Sequence, residues 1–120
     1  MKTLFLLSVM MLSTMLSFTQ TAKIDGDRET LKAAVNTGVF EILMPSSVTE
    51  QDVEKSKGYY TDYFTVNYNG ETRIANIEMI DNTAKARRVI TRLLLSIGVK
   101  EVNVDGKEYT LNDFYNTFLQ

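Results

Sequence analysis

The chain has 120 residues, 13 of them basic and 15 acidic, with no histidine, no cysteine and a net charge of −2 at neutral pH. Without His and Cys it lacks the usual ligands for zinc, copper, haem and iron–sulfur groups, and it has no cysteine nucleophile and no Ser-His-Asp triad. Its mild acidity gives no general attraction to nucleic acid or to an anionic membrane.

Lys2 is the only charge before Lys23, and an apolar run from Leu4 to Phe18 follows it, diluted by Ser and Thr. A basic start, a short apolar stretch and small residues at its end form the pattern of a secretory signal peptide over residues 1–20. The run is too short and too rich in hydroxyls for a membrane anchor, which needs about 20 apolar residues. Cleavage is expected between Ser17 and Ala22, leaving one small exported domain from Lys23 onward, periplasmic or extracellular, with no membrane contact once the leader is gone. No Cys is present to carry a lipid, no disulfide can form, and no Asn-x-Ser/Thr sequon occurs. Apolar packing must therefore hold the fold.

Asp25-Gly26-Asp27 reads as a turn and N-cap, leading to a helix over Glu29–Val35 that ends near Gly38. Val39 to Met44 is apolar at five of six positions and reads as an interior strand stopped by Pro45, the single proline. Ser47 and Glu50 are spaced as a capping box for a helix over Val48–Lys57, which Gly58 should end. Asn69-Gly70 is a type I′ dipeptide, so Tyr59–Tyr68 and Glu71–Ile80 are expected as a tight hairpin with Phe64 opposite Ala75. In that register Asp62 and Arg73 fit poorly on the apolar face.

The strongest helix starts at Asp81, Asn82 or Thr83 and runs to about Ile97, with Ala86, Val89, Ile90, Leu93, Leu94 and Ile97 in one stripe and Gly98 as its left-handed stop. Val99–Val104, the turn Asp105-Gly106 and Lys107–Thr110 form a second hairpin. Thr110 and Asp113 then cap a last helix carrying Leu111, Phe114, Tyr115, Phe118 and Leu119.

From Val39 to Val104 the order of elements is strand, helix, strand, strand, helix, strand. This predicts an α+β fold of ferredoxin-like split βαβ type, an antiparallel sheet with helices on one face. The order resembles that of the heavy-metal-associated domains. Those bind metal through Cys-x-x-Cys after the first strand, where this chain has Pro45-Ser46-Ser47-Val48, so the resemblance implies no metal role.

No motif specifies a reaction, and neither a catalytic residue nor a cofactor is expected. Asp25, Asp27 and Glu29 lack the spacing of a calcium loop. Glu50, Asp52, Glu54, Asp62 and Glu78 offer carboxylate pairs for a small hydrolase, the alternative reading. The expected function is a non-catalytic binding or protein-interaction module, its partner being a protein or a small anionic or glycan ligand. The contact candidates are Tyr63, Thr65 and Asn67 on a Tyr-rich strand, and the basic stripe Lys85, Arg88 and Arg92 on the long helix. A third reading is an assembly subunit that pairs through a sheet edge, as in a homodimer.

Overall fold

A computed structural model describes residues 21–120; the leader read at residues 1–20 lies outside the described residues. In chain order the elements are β1 (Thr21–Ile24), α1 (Arg28–Thr37), β2 (Val39–Leu43), α2 (Glu50–Lys57), β3 (Phe64–Asn69), β4 (Ile74–Met79), α3 (Ala84–Ser96), β5 (Glu101–Val104), β6 (Lys107–Thr110) and α4 (Leu111–Phe114). The last helix widens into a π turn over Tyr115–Leu119. None of these helices is long and apolar enough to cross a membrane.

The six strands make one mixed sheet in the order β3-β4-β2-β1-β5-β6. Period-two alternation decides its faces. Phe64, Val66, Ala75, Ile77, Phe40, Ile42, Ala22, Ile24, Val102, Val104 and Tyr109 are buried on one side. They share a single core with Leu31, Val53, Ile90, Leu93, Leu94, Phe114 and Leu119 from the helices. Thr65, Asn67, Glu78, Glu41, Lys23 and Glu108 alternate onto the opposite, open face and are exposed.

The α+β class matches the expectation, but the split βαβ sheet is a correction. That sheet would set β5 directly against β2. Instead β1 lies between them, antiparallel to β2 and parallel to β5. An inserted strand antiparallel to β2 leaves β5 running in the expected direction and displaces it outward by one position. The residues responsible are Ala22 and Ile24, 0% and 3% exposed. Lys23, the expected domain start, lies inside β1, after Ala22 has paired with Val102.

The first hairpin also departs from its expected register. Phe64 faces Met79 rather than Ala75, and the loop is four residues long, Gly70–Arg73. Asn69 drives this change: its Oδ1 accepts the N–H groups of Glu71 and Thr72, its carbonyl accepts that of Arg73, and Arg73 takes a positive φ of 62°. A slip of four residues keeps every side chain on its face. It also moves Arg73 into the turn and leaves Asp62 ahead of β3, which removes both misfits.

The caps are mostly where the sequence puts them. Asp27, Thr49, Thr83 and Thr110 each accept the N–H three residues on. The capping box of α2 is Thr49 with Asp52 rather than Ser47 with Glu50, and Gly58 is right-handed at φ −61°. Asp105 and Gly106 take φ of 54° and 83°, as the type I′ turn between β5 and β6 requires.

Candidate functional site

The inward stripe of α3 points Ala86, Val89, Ile90, Leu93 and Leu94 into the core. Arg88 and Arg92, four residues apart, therefore fall together on its flank. Gly98 at φ 92° ends the helix, and Val99 donates back to the Leu94 carbonyl, so Lys100 returns along the same flank. On the other side, Thr110 caps α4 immediately after β6 and places Leu111 and Asn112 in its first turn. The result is a cleft of about 410 Å³ lined by Arg88, Thr91, Arg92, Leu95, Lys100, Leu111 and Asn112.

Arg88 is the organised group in this cleft. Its guanidinium lies 4.6 Å from the centre of the Tyr115 ring, a cation–π contact, and its Nη2 donates to Asn112 Oδ1 at 3.1 Å. The Tyr115 hydroxyl donates in turn to the Ala84 carbonyl, which fixes the ring. Arg88 Nη1 is buried and has no hydrogen-bond partner. A buried donor left unpaired costs about 1–3 kcal/mol. No acidic side chain lines the cleft. The ion pairs among the described residues join Lys32 to Glu29 and Lys57 to Glu54, so Arg88, Arg92 and Lys100 have no carboxylate within salt-bridge distance. Three cations around one concavity repel each other, and an anion seated there would relieve the repulsion.

Of the contact candidates on the basic stripe, Arg88 and Arg92 come together here; Lys85 is exposed outside the lining. Arg87 turns the other way, into the protein, donating from Nε to the Leu119 carbonyl at 2.6 Å and from Nη1 to Asn82 Oδ1 at 2.7 Å.

The Tyr-rich segment is strand only from Phe64 onward. Residues Tyr59 to Tyr63 form turns ahead of β3, in which Phe64 and Tyr63 both donate to the Tyr60 carbonyl. Tyr60 packs on Phe64 at 6.0 Å, and Tyr68 turns to the core side, where its hydroxyl donates to the Val48 carbonyl. Burial raises the Tyr68 pKa. Tyr63, 42% exposed, and Thr65 and Asn67 are accessible as expected, with β3 supplying only the last two.

Among the described residues no group of three or more carboxylates gathers as a metal site. Asp27 holds the N–H and hydroxyl of Thr30, Glu50 accepts the Gly70 N–H, and Asp52 completes its capping box. The Thr30 hydrogen bonds lower the Asp27 pKa, and those to Thr49 lower that of Asp52.

Glu101 and Glu108 behave differently. They lie diagonally across β5 and β6 on the open face, and Glu101 is raised by its hydrogen bond to Glu108 and by their mutual repulsion. A carboxyl whose folded pKa lies above its unfolded value binds protons more tightly when folded. It therefore lowers stability at neutral pH and ceases to do so as the pH falls through the folded pKa. Glu101→Gln is expected to raise the melting temperature at pH 7 and to leave it unchanged at pH 3, measured by circular dichroism.

The chain matches no family model, no curated protein and no solved structure. The site thus stands on its own residues. Reasoning from the sequence found two of its cations and missed Lys100, Asn112 and Tyr115, which the β5-β6 hairpin and α4 bring from later in the chain. The signal for them was the Thr110 cap, which starts α4 without a linker and returns the chain to the flank of α3.

Proposed function

We propose that this chain is an exported, non-catalytic binding module that holds a small anionic ligand in the cleft between α3 and α4. The observation that carries the reading is the convergence of Arg88, Arg92 and Lys100 on one cleft whose lining holds no acid, with the Arg88 guanidinium oriented by Tyr115 and Asn112. Arg88 is the group that orients the anion head, Arg92 and Lys100 add charge, and Leu95 and Leu111 give an apolar flank for the body of the ligand. Leu95 is 59% exposed and lines the cleft. Export rests on the pattern of Lys2 followed by the Leu4–Phe18 run.

Isothermal titration with phenyl phosphate, which joins a dianionic head to an apolar ring, tests the site. Arg88→Gln and Arg92→Gln are each expected to weaken binding by about tenfold or more, since each removes a charge-assisted hydrogen bond. Lys85→Gln, outside the lining, is expected to leave affinity unchanged. Equal loss from all three would reduce the effect to general charge and contradict a built site.

A further inference from the structure

β1 and β2 diverge at Asp25. Lys23 and Ile24 pair with Leu43 and Ile42, and the Asp25 N–H still donates to the Glu41 carbonyl. Gly26 and Asp27 then turn away into α1, so among the described residues no strand borders Val39 and Phe40 on that side. On the β4 side, the Gly38 carbonyl accepts the Met79 N–H and the Met44 N–H donates to Arg73, so the even-numbered residues between them bond to β4. Val39 therefore turns its backbone groups into the gap that β1 leaves. Its N–H takes the Thr37 hydroxyl, while its carbonyl has no partner among the described residues.

With α1 beside it, this gap becomes a cavity of about 260 Å³. Ile24, Leu31 and Phe40, which are 3%, 1% and 1% exposed, give it an apolar floor, and the small side chains of Ala33 and Ala34 leave the space open. The charged residues of its lining are Asp25 and Glu41, both exposed and opposite each other at the last rung of the ladder. No Lys or Arg lines it. The ion pairs among the described residues lie elsewhere, Lys32 with Glu29 and Lys57 with Glu54, so both carboxylates are without a cation. The volume falls just below the about 300–1,000 Å³ of sites for drug-sized ligands, so the fitting occupant is small.

We infer that this cavity binds a small primary amine, with the ammonium head at Asp25 and Glu41 and the apolar body on the floor of Ile24, Leu31 and Phe40. An ammonium carries three N–H donors and no acceptor, and the lining offers it two carboxylates and the free Val39 carbonyl. The two acids repel a carboxylate or phosphate ligand. A bare divalent cation fits poorly, because calcium takes about six or more oxygen ligands and among the described residues no third carboxylate joins these two. An apolar floor adds nothing for a bare ion, whereas it removes the hydrocarbon part of an amine from water. The cavity shares no lining residue with the cleft between α3 and α4 and takes the opposite charge.

The probe is protonated phenethylamine, titrated at neutral pH into residues 21–120, which contain the whole core, while backbone amide resonances are recorded. The signals of Ala33, Ala34, Val39 and Glu41 are expected to shift and to saturate with a Kd of about 1 mM or below. Phenylacetate, which has the same ring and the opposite charge, is expected to leave them in place. Asp25→Asn with Glu41→Gln changes two exposed side chains, spares the core, and is expected to weaken amine binding by about tenfold or more. Ala33→Leu keeps a good helix former in α1 while filling the cavity, and is expected to abolish the shifts. An amine that leaves these signals in place, is matched by phenylacetate, or binds both variants as it binds the wild type would overturn the inference.

Discussion

A chain shortened to begin at Asp25 is expected to lose cooperative folding, giving a shallow melt by circular dichroism where the chain from Thr21 gives a sharp one. The shortened chain lacks β1, and β1 is the strand that joins the β3-β4-β2 half of the sheet to the β5-β6 half. It also removes Ala22 and Ile24 from the core. Deleting one buried isoleucine side chain alone costs about 2–5 kcal/mol. Adding the broken ladders on both sides takes up most of the roughly 5–15 kcal/mol that stabilises a small domain. If β2 paired directly with β5, residues 21–24 would be dispensable and the shortened chain would melt sharply. Any cleavage that keeps this fold must fall before Thr21, since a cut after Ala22 would divide β1.

The second large effect is expected at Arg87. Arg87→Met should lower the unfolding free energy in urea by about 2–4 kcal/mol, whereas Arg88→Gln should change it far less. Arg87 is 8% exposed, and its bonds to the Leu119 carbonyl and Asn82 fasten the C-terminal turn to α3. Hydrogen bonds from a charged donor contribute about 1.5–3 kcal/mol each, and removing this one strands the Leu119 carbonyl beside a buried leucine. Arg88, one residue on, donates to the exposed Asn112 side chain, packs on Tyr115 and lines the cleft, and it bonds no buried carbonyl. Two neighbouring arginines are thus separated by role. Equal destabilisation by both substitutions would show that Arg88 is also a structural fastener.

The elements with local signals were legible in the sequence. The stripe of α3 and the Asp105-Gly106 turn each rest on contacts within a few residues, and each formed as expected. β1 was not legible, because its two inward residues follow directly on the segment read as a leader and its stability comes wholly from partners on either side, Ile42 and Val102. The hairpin register failed for a related reason. Asn69-Gly70 favours a two-residue loop, but the Asn69 side chain can cap a four-residue one, and only the wider loop removes Asp62 and Arg73 from the apolar face. The cleft was half legible: helical spacing joins Arg88 to Arg92, while Lys100, Asn112 and Tyr115 reach it through tertiary packing.

The proposed anion site at Arg88 is open to direct test by recording arginine side-chain 15N resonances during a titration with phenyl phosphate. The Arg88 guanidinium signals are expected to shift and saturate together with those of Arg92, while the Arg87 signals stay fixed. Shifts spread evenly over exposed basic groups without saturation, or none at Arg88, would contradict it.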